Sequence, residues 1–422
     1  MTKCAFIPNF LRFYNILWQA ALPFLKQNSR LAPTFEKRIS PTHLKPADVW
    51  IQAASAGEAF LAVSILKALK PDKPLSVLVT TTTDQGRDIL ENGLVSSFYH
   101  PNITLQIDMF PFDMPDTVKQ AVQRVNPKVM VLLETELWPA LLYELKQSQT
   151  KVLILNGRLS KKSGRNYKLT RWLWNSMAPD LILATSSRDA KRFSNVFTDT
   201  RVSTMNNIKF DHMGVEEDAH AQSKLGMLIP QDLPLSILAS FRRQEEPQII
   251  KLISALKKDC SHQVIALFPR HMHRIAPFLK QVKKQGLDVV LGSELNTPIQ
   301  GPAVILWDRF GELRNAYAHA NAVFVGGSLC PLGGQNFMEP AVLGIPTITG
   351  PYWDDFFWVG KEIFDCDIVI KSKDWKDAAQ TMVNTLGSKA HTADNKQKAM
   401  EYITSRQGGS KVACQAILDA LD

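Results

Sequence analysis

Three glutamates that follow short apolar runs carry the groups best suited to acid–base chemistry. Glu58 closes the sequence SAGE, whose three preceding residues are small enough to let the backbone turn tightly and bring a carboxylate close to a bound molecule. A carboxylate within hydrogen-bond reach of a hydroxyl can take its proton. The alternative is a structural glutamate in the first turn of a helix, where the helix dipole favours negative charge.

Two further glutamates flank Thr135 in the segment ETELWP, directly after the apolar run VMVLL. Alternate residues of an extended segment point the same way, so we expect Glu134 and Glu136 to face the same side. The residues alone leave open which of the two takes part in chemistry.

Cationic and glycine-containing segments follow apolar runs in the second half of the chain and are typical of a phosphate site. Arg270 follows the run IALFP, and its guanidinium can pair with a phosphate. Gly311 and Glu312 begin a predicted helix, whose free backbone amides can receive an anion. His271 and His273 stand two apart with no further ligands nearby in the sequence, so we expect no metal site.

The stretch FVGGSLCPLGGQNFMEP combines two glycine pairs with Asn336 and Glu339. The spacing of these two residues fits a helix cap with an acidic partner three positions on, and Pro340 is tolerated in a first turn. That cap leaves the glycine pairs unexplained. We expect them to open backbone amides to a phosphate or a ribose, with Glu339 placed for the ribose hydroxyls.

Alternating strands and helices must position all of these motifs. From Asp48 to about Met205, and again after residue 233, short apolar runs alternate with helix-length segments, which predicts parallel βαβ units. Ligands bind beyond the carboxyl ends of such strands, where the motifs stand. We therefore predict an α/β chain with two doubly wound Rossmann-like domains facing a cleft, over residues 31–210 and 234–422, joined by a linker over residues 211–233.

Composition narrows the class of protein. The 422 residues are 45% hydrophobic and 21% charged, which is typical of a globular chain. The five cysteines form no paired motif, which favours a reducing compartment. The net charge of +9 predicts an anionic partner. No nucleic-acid-binding motif accompanies it, so we expect no nucleic acid.

The N-terminal residues 1–30 are predicted to form a membrane-associating amphipathic helix. Polar residues recur every three or four positions in AFIPNFLRFYNILWQAALPFLK and leave a wide apolar stripe. Arg12, Pro8 and Pro23 disfavour a membrane span, and the segment lacks the cleavage site of a signal peptide. We expect the helix to lie in an anionic cytoplasmic membrane surface. The alternative is a helix that packs on the protein's own body.

Taken in chain order, the motifs resemble those of the bacterial 3-deoxy-D-manno-octulosonic acid (Kdo) transferases. These are SAGE, TTTT, ETELWP, NGRLS, NIKFD, PRH, GEL, FVGGS and GGQNFMEP, from the N-terminal region to about Pro351. The family moves Kdo from CMP-Kdo onto lipid A precursors. The resemblance implies a GT-B glycosyltransferase of lipopolysaccharide biosynthesis at the cytoplasmic face of the inner membrane, working by inverting displacement without a metal or other cofactor.

The resemblance also implies a role for each matched residue. Glu58 matches the family's catalytic base, and Lys209 in NIKFD matches a lysine suited to the departing phosphate or the sugar carboxylate. An acidic residue of ETELWP helps to stabilise the transition state, which leaves Glu134 and Glu136 both open. The implied CMP site comprises Pro269, Arg270, Phe310, Gly311, Glu312, Asn336, Phe337, Met338 and Glu339.

This chain departs from the family's pattern near the expected donor site. Gln335 stands where a histidine is usual, and ASFRRQEE replaces ASTHxGEE, which brings Arg242 or Arg243 to a histidine position. Such changes can preserve anion binding and still alter the choice of donor. Asp365 and Asp367 have the spacing of a metal-binding DxD, but they lie in an apolar run that looks like a strand, and we interpret the spacing as chance.

The acceptor is expected to meet basic residues after a strand of the first domain. Arg158 and Arg165 in NGRLSKKSGR are placed for the phosphates of a lipid A precursor, and the alternative is a solvated basic face. Two other functions stay open at this point. One is a GT-B transferase or epimerase that uses a different nucleotide sugar, and the other is an inactive membrane-surface binding protein.

Overall fold

The computed structural model describes residues 6–29, 31–95, 100–213, 224–230, 232–386 and 392–422. The chain forms two compact units, one of Met1–His212 with Arg406–Asp422 and the other of Met213–Ser405. Residues 1–5 and 30 of the predicted N-terminal helix, and residues 214–223 and 231 of the predicted linker, lie outside the described residues.

The first unit contains a seven-stranded parallel sheet in the order β3-β2-β1-β4-β5-β6-β7. Its strands are β1 (Val49–Ala53), β2 (Leu75–Thr81), β3 (Ile103–Met109), β4 (Val129–Leu133), β5 (Lys151–Gly157), β6 (Leu181–Ala184) and β7 (Arg201–Thr204). The strand order changes direction between β1 and β4, because β2 and β3 lie on one side of β1 and β4 to β7 lie on the other. The loops that leave these two strands carry Glu58 and the ETELWP motif, so both motifs lie where an open α/β sheet binds ligands.

Eleven helices belong to the described part of the first unit, together with a 3-10 turn at Ile208–His212 and a π turn at Glu91–Val95. The helices are α1 (Phe6–Gln27), α2 (Phe35–Ile39), α3 (Ala56–Ala68), α4 (Asp84–Leu90), α5 (Pro115–Val125), α6 (Pro139–Gln147), α7 (Lys161–Leu169), α8 (Arg171–Ser176), α9 (Ser187–Val196), the 3-10 helix Ala32–Thr34 and, from the end of the chain, α18 (Gly409–Leu421).

The central strands are continuous apolar runs because both faces of a parallel sheet are covered. Trp50 and Met130 pack on one face in a cluster that includes Leu11 of α1. Ile51 and Val131, the next residues of the same strands, pack on the other face in a cluster that includes Ile417 of α18. The first and the last helices of the chain thus cover opposite faces of one sheet.

The second unit repeats this architecture with a parallel sheet in the order β10-β11-β9-β8-β12-β13-β14. Its strands are β8 (Leu235–Phe241), β9 (Val264–Pro269), β10 (Val290–Leu291), β11 (Ala303–Leu306), β12 (Ala322–Val325), β13 (Thr347–Thr349) and β14 (Val369–Lys371). Its helices are α10 (Lys224–Leu228), α11 (Glu246–Asp259), α12 (Ile275–Lys284), α13 (Leu313–Tyr317), α14 (Met338–Ala341), α15 (Glu362–Asp365), α16 (Trp375–Leu386) and α17 (Thr392–Thr404), with 3-10 turns at Arg243–Glu245, Met272–Arg274 and Asp354–Val359.

Two details differ from the sequence-based expectation. The predicted C-terminal domain runs to residue 422, whereas α18 packs in the first unit. Asp365 and Asp367 are not in a strand, because Asp365 ends α15 and Asp367 adopts a left-handed turn with φ 55° before β14 begins at Val369. Their spacing therefore does not place two carboxylates on one face of a strand.

The N-terminal helix α1 has two apolar faces rather than one. Ile7 and Leu11 are buried, and Tyr14, Trp18 and Leu22 pack against the body of the first unit. The opposite face leaves large apolar side chains in solvent, and their exposed fractions are Phe13 59%, Ile16 65%, Leu17 50% and Phe24 75%. One face of this helix therefore packs on the protein's own body, and association of the other face with a membrane stays a prediction. Within the described residues, no helix has the length and hydropathy needed to cross a bilayer.

Asp211 fixes α18 onto the first unit. Its two carboxylate oxygens accept hydrogen bonds from the backbone amides of Gly408 at 2.7 Å and Ser410 at 2.6 Å, so the side chain caps the N-terminus of α18 from a distant part of the chain.

We predict that Asp211→Ala lowers the free energy of unfolding of the first unit by about 1–2 kcal/mol, the usual effect of losing a helix cap. Urea unfolding followed by circular dichroism measures it. Asp419→Ala serves as the control. It removes an exposed carboxylate of the same helix, which accepts a hydrogen bond from Gln415. Equal stability of the two variants would contradict the capping role.

Candidate active site

Glu58 lies in the first turn of α3, directly after β1, and is buried. Ser55 is the N-cap of this helix and accepts from the Glu58 amide at 3.3 Å. The Glu58 carboxylate in turn accepts from the Ser55 hydroxyl at 2.9 Å and from the Ala54 amide at 2.7 Å. The structural reading of SAGE as a helix cap therefore holds, and the cap also fixes the position of the carboxylate.

Burial raises the pKa of Glu58 to about 7, and the charge of Glu134 adds to the rise. The hydrogen bonds from Ala54 and Ser55 and the charge of Lys209 oppose it. A carboxylate with a pKa near neutrality is divided between its two protonation states at physiological pH, which is the property that a general base needs.

Glu134 follows β4 and forms an ion pair with Lys209, whose Nζ donates to Oε1 at 3.0 Å. Arg158 approaches the same oxygen at 3.6 Å. The predicted catalytic lysine and one of the two predicted acceptor arginines thus meet on one carboxylate. Arg165 lies apart from this ion pair, exposed on α7, a helix with no buried residue.

Two buried asparagines that the sequence analysis did not single out hold the loop that carries Lys209. Asn156, at the end of β5, accepts from the Ile208 amide at 3.0 Å, and Asn207 accepts from the Lys209 amide at 3.0 Å. Asn156 has φ 55°, as does Glu134 on the neighbouring strand, so both residues turn the chain sharply at the sheet edge. The motif NGR contained this signal for Asn156, because asparagine tolerates the left-handed region better than most residues.

Glu136 is held by Trp138, whose indole Nε1 donates to Oε2 at 2.8 Å. Burial raises its pKa to about 7, and the charges of Glu58 and Glu134 contribute to the rise. The premise of an extended segment is wrong, because Glu134 is left-handed and the segment bends after β4. The three carboxylates nevertheless lie within electrostatic range of one another. Burial raises the pKa of Tyr167 on α7, and the Glu136 charge adds to the rise.

In the second unit, Arg270 and Arg242 follow neighbouring strands. Phe241 of β8 is paired with Pro269 of β9, and the Arg270 amide donates to the Phe241 carbonyl at 2.9 Å. Both arginines are therefore the first residues beyond the paired ends of these strands. Arg243, the next residue, is exposed in the following 3-10 turn.

The first glycine pair does not offer its amides to a ligand, contrary to our expectation. The Gly326 amide donates to the Ala239 carbonyl at 2.7 Å. The fully buried carboxylate of Glu245 accepts from the amides of Gly327 at 2.6 Å, Ser328 at 2.8 Å and Leu329 at 2.8 Å. A carboxylate of the protein itself occupies the anion-binding loop after β12, and no further acceptor is needed there.

The second glycine pair is needed for close packing. Gly333 and Gly334 have φ 87° and 85°, and a Cβ on Gly333 would lie 2.4 Å from the carboxylate of Asp355. The Gly334 amide donates to the Gly327 carbonyl at 2.8 Å. Gln335 folds over Gly327 and donates to the Gly334 carbonyl at 2.9 Å, so its side chain closes this loop.

The predicted helix cap by Asn336 is wrong, because the N-cap of α14 is Phe337, whose side chain makes no capping hydrogen bond. Asn336 and Glu339 are nevertheless in contact. Asn336 accepts from the Met338 amide at 3.2 Å and donates to Glu339 at 2.8 Å. The Glu339 side chain is exposed, yet desolvation by the surrounding protein raises its pKa against the opposing effects of Asn336, Arg314 and Arg270. Arg314 of α13 is thus a further charged group of this region, which the sequence analysis missed.

The remaining predicted donor-site residues divide into buried and exposed groups. The side chains of Phe337 and Met338 are in the core, where Phe337 packs on Phe356 and Phe364, so only their backbone can meet a ligand. Phe310 is 89% exposed, and Gly311 beside it has φ 85°. Glu312 lies directly before α13, with one buried carboxylate oxygen that has no partner in the structure.

Metal-binding side chains do not converge in the part of the chain that the structure describes. The rings of His271 and His273 stack with their centres 5.4 Å apart. No group of three or more histidine, cysteine, aspartate or glutamate side chains suited to a metal occurs among the described residues.

Comparisons with known proteins give the same family as the motifs. Residues 26–212 match the family model described as 3-Deoxy-D-manno-octulosonic-acid transferase (kdotransferase). The 3-deoxy-D-manno-octulosonic acid transferase of Haemophilus influenzae is 28% identical over 382 residues, which cover 89% of this chain and 87% of that protein. The enzyme of the same name from Bordetella pertussis is 28% identical over 391 residues, covering 89% and 88%.

The two-domain fold has solved counterparts. The crystal structure of a UDP-N-acetylglucosamine 2-epimerase is 14% identical, covers 90% of this chain and 96% of that chain, and has a TM-score of 0.56. At this identity the likeness concerns the fold alone. It confirms the prediction of two doubly wound Rossmann-like domains.

We predict that Glu58→Gln lowers the pKa of Glu136 from its value of about 7, because one of the like charges that raise it is removed. The pKa stays above the ordinary glutamate value, since burial is its first cause. NMR titration of the glutamate side-chain carboxyl carbons measures it. Glu91→Gln, a change to a partner of Arg87 on the surface, is the control. An unchanged Glu136 pKa in the Glu58 variant would show that the two carboxylates do not interact.

Proposed function

Because the chain is similar to the Kdo transferases in its motifs and over most of its length, we propose that it is a GT-B glycosyltransferase that transfers Kdo from CMP-Kdo to a lipid A precursor, lipid IVA. The observation that carries this proposal is Glu58, a buried carboxylate with a pKa of about 7 at the switch point of the first sheet. It matches the family's SxGE glutamate and has the proton affinity of a general base.

The reaction we propose is an inverting displacement without a metal. A hydroxyl oxygen of the acceptor attacks the anomeric carbon of Kdo, and ionised Glu58 takes the hydroxyl proton. The bond from that carbon to the phosphate oxygen breaks, and its electron pair leaves with CMP. The hydrogen bonds from Ser55 and Ala54 hold Glu58 in place, so little reorganisation is needed when the proton moves.

Lys209 is the cation that we assign to the negative charge of the sugar carboxylate or the leaving phosphate. Its ion pair with Glu134 and the two asparagine contacts on its loop hold its ammonium in one place before substrate binds. A preorganised charge of this kind stabilises a transition state better than a mobile one. Of the two ETELWP glutamates, Glu134 thus positions the lysine, whereas Glu136 has a proton affinity like that of Glu58.

The CMP moiety is assigned to the second unit. Arg270 is placed for the phosphate, the backbone around Gly311 and Glu312 for anion or ribose contacts, and Glu339 for the ribose hydroxyls. The charge of Arg270 already acts on Glu339, which supports a common site for these two residues.

The acceptor and the membrane are assigned to surfaces of the first unit. Helix α7 is basic and has no buried residue, which suits it to the phosphates of lipid A, and Arg165 is exposed on it. Arg158, which precedes this helix, approaches Glu134. The exposed apolar face of α1 is suited to insertion into the cytoplasmic face of the inner membrane. Arg12 is exposed on the same helix and would favour anionic lipids.

Glu58→Gln tests the catalytic proposal. We expect kcat to fall by about 10²- to 10⁴-fold, the usual contribution of a general base, with the affinity for CMP unchanged. In the native chain kcat/KM should rise with pH through about 7, because Glu58 accepts a proton only when ionised. The measurement is transfer from CMP-Kdo to lipid IVA, with product mass giving the number of Kdo residues added.

Glu91→Gln is the control for this assay and should keep full turnover. Unimpaired transfer by the Glu58 variant would exclude this residue as the base. A native chain that transfers sugar from a UDP-sugar and not from CMP-Kdo would overturn the choice of donor.

Replacing Ile16 and Phe24 together by serine tests the membrane proposal. Both side chains point to solvent, so the fold should be retained, whereas binding to vesicles of phosphatidylethanolamine and phosphatidylglycerol should fall about tenfold or more. Co-sedimentation measures the binding. Met227→Ser, an exposed apolar residue of the second unit, is the control, and vesicle binding equal to that of the native chain in the double variant would refute the role of this face.

A further inference from the structure

Arg242 and Arg270 lie side by side at the carboxyl ends of two neighbouring strands of the second sheet. They follow Phe241 and Pro269, which are partners in adjacent parallel strands, so their Cα atoms are about one strand spacing, roughly 5 Å, apart. The family's motif accounts for Arg270 only. Arg242 stands at a position where this chain departs from the family's ASTHxGEE pattern.

Arg242 forms no ion pair with any acidic side chain that the structure describes. Its backbone amide donates to Glu245 at 3.0 Å, but that carboxylate already receives three further amides from the loop after β12. The Nε atom of Arg242 is buried and has no hydrogen-bond partner in the structure. Among the described residues, neither Arg242 nor Arg270 takes part in an ion pair.

The local field at this strand end is positive. The pKa of His271 is lowered, by desolvation first and then by the charges of His273, Arg270 and Arg242. A buried guanidinium nitrogen without a hydrogen-bond partner is unfavourable unless a ligand supplies an acceptor.

Glu245 removes the other means by which this fold usually binds phosphate. In a doubly wound sheet, backbone amides near the switch point commonly receive the phosphate. Here the switch point lies between β8 and β12, and the Gly327, Ser328 and Leu329 amides after β12 are filled by Glu245. A ligand's anion at this edge therefore has to be held mainly by side chains, and the two arginines are the cations at the adjoining strand ends.

We propose that Arg242 is a second donor-binding cation, which together with Arg270 binds the phosphate of the nucleotide sugar. This inference rests on the proposed function, because it takes the second unit as the nucleotide site. It also gives the ASFRRQEE departure a specific meaning, since a guanidinium makes a paired, charged contact with phosphate. Arg243 has no part in the site.

The adjacent arginines supply a matched pair of variants. With CMP as the titrant in calorimetry, we expect Arg242→Gln to raise the dissociation constant about 10- to 100-fold, as for a lost hydrogen bond to a charged group. Arg243→Gln has the same change in net charge on an exposed side chain and should leave the CMP affinity as it is. Cytidine, which lacks the phosphate, should bind all three proteins equally.

Enzyme kinetics separate binding from folding. Arg242→Gln should raise the KM for CMP-Kdo by a similar factor with kcat within about threefold of the native value, whereas a structural defect lowers kcat and the melting temperature together. Arg242→Lys keeps the charge and should recover part of the CMP affinity. Its CMP affinity provides a second test if the glutamine variant does not fold.

The outcomes distinguish this inference from the proposed function. Equal CMP affinity in the Arg242 and Arg243 variants, while the native chain binds CMP, would overturn the role of Arg242 and leave the transferase proposal standing. A native chain that binds UMP and not CMP would instead overturn the choice of donor nucleotide. Weaker binding of CMP and of cytidine alike in Arg242→Gln would show that the residue does not act through the phosphate.

Discussion

The ion pair between Lys209 and Glu134 is the interaction on which the first-unit site depends. Three carboxylates lie within range of one another, and like charges disfavour ionisation unless a cation is near. Lys209 donates directly to Glu134. Burial first raises the pKa values of Glu58 and Glu136 to about 7, and the charges of neighbouring glutamates add to the rise. The site thus combines a carboxylate paired with lysine and two buried carboxylates that can exchange protons near neutrality.

In the second unit, a carboxylate has a structural role and stabilises a loop. Glu245 is buried and binds backbone amides of a glycine-containing loop, so the protein's own side chain takes the place that a phosphate occupies in many related folds. This contact stabilises the loop after β12 and joins it to the turn after β8. The anion-binding capacity of the edge then resides in side chains, which are easier to change in evolution than backbone amides.

The sequence predicted what depends on local pattern. Buried strands such as VMVLL and the Ser55 cap of the helix that carries Glu58 follow from residue types at short spacing. It could not predict partners distant in the chain. Glu245 binds the amide of Gly327, which is 82 residues away in the sequence. Asp211 caps α18 through the amide of Ser410, which is 199 residues away. Strands β13 and β14 have three residues each, too few for periodicity to show.

Helix α1 is part of the foundation of the site as well as a candidate membrane surface. Tyr14 donates to Asp113 at 3.1 Å, and this buried carboxylate also accepts from the Ala140 and Leu141 amides in the first turn of α6. That turn directly follows Trp138, which holds Glu136. Burial raises the pKa of Asp113 to about 7, and these three donors oppose the rise. The helix that would meet the lipid therefore also fixes the start of the helix behind the ETELWP glutamates.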